Sequence, residues 1–207
     1  MAASPWPVIA QERGALADDL SGLTDAQWQT PSQCAGWSVH DLLAHMLGTA
    51  RMTKGGFFGK FAGSGFNFEK MAQKEVVACG AGGPGATLAA WRDAQGATTS
   101  PPGPVDSWLG ETLIHAEDIR RPLGIEHEYP MEAVVRVLDF YKNSSLVVGA
   151  KKRIAGVTLK ASDTNWSHGS GPEVEGPAMS LLLAMTGRSS ALADLTGPGV
   201  ETLRSRM

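Results

Sequence analysis

The chain is poor in the features that most quickly assign a function. It has only two cysteines in 207 residues, Cys34 and Cys79, enough for one bridge at most, and two free thiols in a reducing compartment are the expectation. Cationic runs are short: nothing exceeds Lys151-Lys152-Arg153, and the net charge is -3, so the electrostatic footprint of a nucleic-acid binder is missing. No stretch approaches the roughly 20 apolar residues that span a bilayer. The first residues carry Pro5, Pro7, Glu12, Asp18 and Asp19 where a secretory signal would place basic then apolar residues, and a soluble, cytoplasmic protein is expected. There is no Gly-x-x-x-x-Gly-Lys phosphate cradle, no Gly-x-Gly-x-x-Gly after a strand, no Gly-x-Ser-x-Gly elbow and no His-Glu-x-x-His. Nucleotide binding and serine hydrolysis lose their support.

What is present is a hydrophobic content of 43%, sufficient for a packed core, arranged mostly at helical spacing. Ile9, Leu16, Leu20 and Leu23 predict a first helix within 7–23. Ser38 stands three residues before Asp41, a variant capping box, and Val39, Leu42, Leu43, Met46 and Leu47 continue it as an amphipathic helix. Five glycines alternate with Phe57, Phe58 and Phe61 between Gly55 and Gly65, which reads as an adaptable loop, a broken helix end or a lid. Helices are predicted over 66–77, 86–97 and 105–121, the last stopped by Pro122, and a longer one from Met131 to about Val148 with Leu146 on its apolar side. After Arg153 the pattern changes: Val157-Thr158-Leu159 has strand residues, Trp166 to Gly176 suggests one or two more short strands, and helices are expected at 177–185 and 199–206. The expectation is a mainly α protein, a four-helix bundle over residues 1–150 followed by a small α/β domain over 151–207.

Two stretches carry chemistry. Glu111 and His115 are four residues apart, so on a helix both leave one face and can close on the same ion. His45 interrupts the apolar stripe of its capped helix and is the candidate third ligand, giving a His-Glu-His set with an open position. The spacing alone equally allows a plain Glu111–His115 hydrogen bond, and a single histidine such as His45 also reads as a core or boundary residue. Asp118 reads either as an acceptor behind a ligand imidazole or as a surface acid paired with Arg121. Glu117 is expected in solvent and His40 exposed, with His127 and His168 in loops. Cys34, just upstream of the His45 helix, is a small hydrophobe or a further ligand. Trp28, Trp37 and Trp91 read as core or boundary aromatics.

These residues resemble a known family. Leu23-Thr24-x-x-x-Trp28, Cys34-x-Gly36-Trp37-Ser38-Val39-x-Asp41-Leu42-x-Ala44-His45, Glu111-x-x-x-His115 and Asp118-Ile119-Arg120-Arg121-Pro122-Leu123-Gly124 are similar to the mycothiol-dependent maleylpyruvate isomerases, within the DinB-like helical metalloproteins. Asp163-x-x-Trp166, Gly171-Pro172-x-Val174-x-Gly176-Pro177 and Leu183-x-x-x-Gly187-Arg188 extend the similarity. The resemblance implies a DinB-like bundle holding a divalent metal, usually zinc, on His45, Glu111 and His115. It also implies a sterol-carrier-like C-terminal domain that lends an arginine, for which Arg188 is the nominee. Mycothiol would be the thiol cofactor or cosubstrate, and the partners a small thiol and a small electrophile, with the chain a monomer or small homo-oligomer. The chemistry would be S-transfer or cis-trans isomerisation. A hydrolase using a metal-bound water, and a binding protein without catalysis, are the alternatives.

Overall fold

The computed structural model describes residues 3–145 and 148–207. It consists of two compact units, Met1–Glu128 and Tyr129–Met207.

The first unit is all helical. Helix α1 (Trp6–Asp19) starts behind Pro5 and with Pro7 in its first turn, where a missing N–H costs nothing. A single turn, α2 (Asp25–Trp28), carries a complete Thr24/Gln27 capping box. Helix α3 (Val39–Arg51) carries the Ser38/Asp41 box: Ser38 Oγ accepts the Asp41 N–H at 3.1 Å, and Asp41 Oδ2 accepts the Ser38 N–H at 3.0 Å. The glycine- and phenylalanine-rich stretch is not a loop. It forms α4 (Lys54–Gly63), because Thr53 Oγ1 caps Gly56 at 3.0 Å and Phe57 stacks on Phe61 one turn on, with centroids 5.7 Å apart. Helices α5 (Phe68–Gly80) and α6 (Gly83–Asp93) follow, separated at Ala81-Gly82, where Gly83 takes a left-handed φ of 77°.

Helix α7 (Val105–Leu123) runs through Pro122 rather than stopping before it. It ends one residue later on Gly124, whose φ of 68° allows a Schellman closure by Ile125 N–H to Arg120 C=O (3.0 Å) and Gly124 N–H to Arg121 C=O (3.1 Å). Helices α5 and α6 pack on α3, α6 and α7 on α1, and α7 on α3. The core between them is Ile9, Leu16, Leu42, Leu43, Leu47, Trp91, Leu109, Leu113 and Ile119, all essentially out of solvent. Trp28 is also buried.

The second unit begins with α8 (Met131–Tyr141). This helix is shorter than its apolar pattern predicts: it ends in the Lys142-Asn143-Ser144-Ser145 run, where the Ser144 N–H turns back to Tyr141 C=O at 2.8 Å. Leu146, expected on its apolar side, lies outside the described residues. A short turn, α9 (Ala150–Arg153), leads into three strands, β1 (Thr158–Ala161), β2 (Ser167–Gly169) and β3 (Glu173–Gly176). The sheet order is β2-β1-β3, with β1 antiparallel to β2 and parallel to β3, and Leu159 is opposite both His168 and Val174. Helix α10 (Ala178–Met185), buried along nearly its whole length, packs on α8 and the sheet, and α11 (Val200–Arg204) closes the chain. Among the described residues no helix is long and apolar enough to cross a membrane.

Candidate metal centre

The cap on Ser38 fixes where α3 begins and therefore which way His45, two turns in, is turned. Its neighbours Leu42, Leu43, Ala44, Met46 and Leu47 are buried, while the His45 side chain stays 22% exposed. On α7, Glu111 and His115 are one turn apart, flanked by buried Leu109, Leu113 and Ile114. His45, Glu111 and His115 each bring a ligand atom into one group, all within 4.8 Å of one another. The His45 and His115 rings meet edge to face, centroids 5.4 Å apart.

The donor atoms are spaced for an ion rather than for each other. His45 Nε2 and Glu111 Oε1 are 3.9 Å apart, beyond a hydrogen bond. Nitrogen and oxygen ligands on a tetrahedral zinc are held about 3.4 Å apart, so a small inward movement would complete the set. Glu111 Oε1 is buried and has no hydrogen-bond partner among the described residues. An orphaned carboxylate oxygen between two imidazoles is the feature a divalent cation would satisfy. The residues therefore fit the implied metal, and His45, Glu111 and His115 are the ones that would hold it.

The electrostatics agree. Burial, with the neighbouring His115, pushes the His45 pKa down to about 3, so its ring is neutral and its lone pair available. Burial raises the Glu111 carboxyl above its ordinary value, although His115, a Thr49 hydrogen bond and the Arg13 guanidinium on α1 pull the other way. For His115 burial alone would lower the pKa, but hydrogen bonds to Asp118 and Cys34 outweigh it and lift the ring to about 10. Asp118, wholly buried, accepts from His115 Nδ1 at 2.9 Å. That contact leaves Nε2 as the nitrogen turned toward the ion position. Trp37 lies over His45 with centroids 4.8 Å apart and donates its indole N–H to Gln73 on α5 at 3.2 Å.

One acid, Glu117, differs from its sequence reading, and Asp118 takes the first of its two. Glu117 is buried rather than solvated, because Arg121 reaches back one turn and binds it at 2.8 Å. Arg121 thus pairs with Glu117, and Asp118 serves His115. Cys34 Sγ also reaches Asp118 Oδ2, at 3.3 Å, and lies 3.6 Å from His115 Nδ1. No motif announces this approach. It comes from a backbone contact, Gln33 N–H to Asp118 C=O at 3.0 Å, that ties the turn before α3 to α7. The other histidines have other tasks: His40 bonds Thr87 at 3.0 Å and is only partly exposed, His127 bonds buried Glu12 at 2.8 Å, and His168 stands in β2. Arg188 belongs to the second unit, where it precedes the 3-10 turn Ser189–Asp194 and donates to Thr186 C=O at 3.1 Å.

No curated protein and no solved structure matches the chain. A family model does: residues 9–100 match the mycothiol maleylpyruvate isomerase N-terminal domain, a stretch that runs from within α1 through α6, includes His45 and ends before Glu111 and His115. Over residues 9–100 the chain is thus similar to the mycothiol maleylpyruvate isomerase N-terminal domains.

Proposed function

We propose that the protein is a metal- and thiol-dependent enzyme that takes mycothiol as its thiol and either transfers it to a small electrophile or adds and expels it in a cis-trans isomerisation. The orphaned, buried Glu111 oxygen between His45 and His115, on a helical unit of a mycothiol family, is the observation that carries this reading. The proposed ion is zinc. When bound, it would supply a Lewis acid: two neutral imidazoles and one carboxylate leave it a formal +1, which favours an anionic sulfur as fourth ligand.

The chain's own residues do the rest. Asp118 holds the proton on His115 Nδ1 and fixes the ring so that Nε2 points at the ion position. Trp37 covers one side of His45. A thiol of pKa about 8.5 is only about 3% ionised at pH 7, so full ionisation adds at most roughly 30-fold, about 2 kcal/mol. Most of the acceleration must therefore come from holding the electrophile against the sulfur. Arg188 is the proposed cation for the electrophile's carboxylate or carbonyl. A reduced thiol requires a reducing compartment, in keeping with a cytoplasmic location.

The test is metal analysis of wild type and His45→Ala, followed by conjugation of monochlorobimane with mycothiol, glutathione or no thiol. Stoichiometric metal in wild type, its loss in the variant and mycothiol-dependent turnover are expected. Unchanged occupancy in His45→Ala would refute the ligand set. Thiol-independent turnover would make the protein a hydrolase, and full occupancy without any turnover a binding protein. Arg188→Ala is expected to raise KM for an anionic electrophile while leaving metal occupancy intact.

A further inference from the structure

We infer that Cys34, His115 and Asp118 form a second cation site, one that carries a thiolate and takes a soft divalent ion. The three side chains are a group whose ligand atoms all lie within 4.8 Å, separate from the His45–Glu111 pair except for the shared His115. They are hydrogen-bonded to one another at spacings within about half an ångström of a coordination sphere. Tetrahedral zinc with one sulfur, one nitrogen and one oxygen ligand holds them about 3.6 Å (S–N), 3.6 Å (S–O) and 3.4 Å (N–O) apart. The corresponding separations here are 3.6, 3.3 and 2.9 Å.

Without an ion, two protons do the work: the Cys34 S–H and the His115 Nδ1–H both converge on Asp118 Oδ2. A divalent cation replaces both, releasing them to solvent, and needs adjustments of about half an ångström. The site is also preorganised. Ser32 Oγ donates to Trp37 C=O at 2.8 Å and accepts the Cys34 N–H at 3.2 Å, and the Gln33 N–H bonds Asp118 C=O, so the turn bearing the thiol is already fixed against α7. One sulfur among the ligands selects thiophilic ions such as cadmium or zinc over magnesium or calcium. His115 can serve both sets only through different nitrogens, Nδ1 here and Nε2 toward His45. An ion bound at Cys34 therefore displaces the proton that orients the shared ring, and the two sites communicate. The inference does not depend on mycothiol chemistry.

The experiment is titration of chelator-treated protein with cadmium, read by the ultraviolet thiolate-to-cadmium charge-transfer band and by bound stoichiometry, in wild type, Cys34→Ser, Cys79→Ser and His45→Ala. The band is expected in wild type, Cys79→Ser and His45→Ala, and absent in Cys34→Ser, with affinity at this site falling at least about 100-fold. Cadmium is also expected to slow alkylation of Cys34 in the wild type. A band that persists in Cys34→Ser, or unprotected Cys34 at saturating cadmium, overturns the inference. Loss of metal from His45→Ala with the band retained separates this site from the one proposed for catalysis, whose own failure would show as no change in occupancy in that variant.

Discussion

Replacing Glu111 by glutamine separates the cost of the ion site from its use. Without an ion, Oε1 is buried and unpartnered, and burial raises the carboxyl pKa. An unsatisfied buried polar group costs about 1–3 kcal/mol, more when charged. The folded protein therefore holds the Glu111 proton more tightly than the unfolded chain does. This contribution to stability is complete below the ordinary carboxyl value of 4.5 and is lost as pH rises through the folded value. Glutamine does not titrate. Ion-free Glu111→Gln is thus expected to match wild type near about pH 4 and to exceed it by about 1–3 kcal/mol near about pH 7.5, roughly 3–9 °C in Tm for a chain of this size. With zinc the order reverses, since wild type gains about 4.1 kcal/mol at a free concentration about 1,000 times Kd and the variant gains little. Thermal unfolding of chelator-treated protein at the two pH values, with and without zinc, reads all four terms. If ion-free Glu111→Gln is the less stable protein near neutral pH, then Thr49 and Arg13 already satisfy the carboxylate and the case for a cation there fails.

Asp118→Asn is expected to weaken zinc binding about 10–100-fold by removing the carboxylate behind His115, measured by competition with a chelator; an unchanged Kd would show that the ring orients itself. Because His115 is held at about 10, cation entry near neutral pH must expel about one proton, and affinity should rise about tenfold per pH unit toward that value. Calorimetry in buffers of different ionisation enthalpy counts the proton, and a count of zero contradicts the assignment. Cobalt or copper, unlike zinc, should quench the fluorescence of Trp37, whose ring is 4.8 Å from His45. Most of that quenching should vanish in Trp37→Phe, and equal quenching in the variant would put the ion elsewhere.

The parts of the centre visible in the sequence are those set by local rules. The Ser38/Asp41 box announces α3 because a cap is a contact between residues three apart, and the turn-apart Glu111 and His115 share a face because helical geometry requires it. Cys34 was open between two readings, since its approach to Asp118 depends on a turn backbone-bonded to a helix more than eighty residues later. The glycine-rich stretch misleads for another reason: propensity disfavours a helix there, but the Thr53 cap and the stacking of Phe57 on Phe61 outweigh it in α4. Composition changes near residue 150, where strand residues begin, whereas α8, helical like the bundle, packs within the unit that starts at Tyr129. Periodicity reports an element's type and is silent about its packing partner.

The placement of Glu111 and His115 on one rigid rod has a consequence for which ions fit. Four residues of helix hold their backbones at a fixed axial rise of about 6 Å, so that backbone spacing cannot change without bending α7. The backbone distance that can change is to His45 on α3, which packs on α7, and Leu42, Leu43 and Leu47 of α3, like Leu113 and Ile119 of α7, have no exposed surface. Accommodating a larger radius means sliding one packed helix along another, and the tightness of that packing becomes the gauge of ionic size.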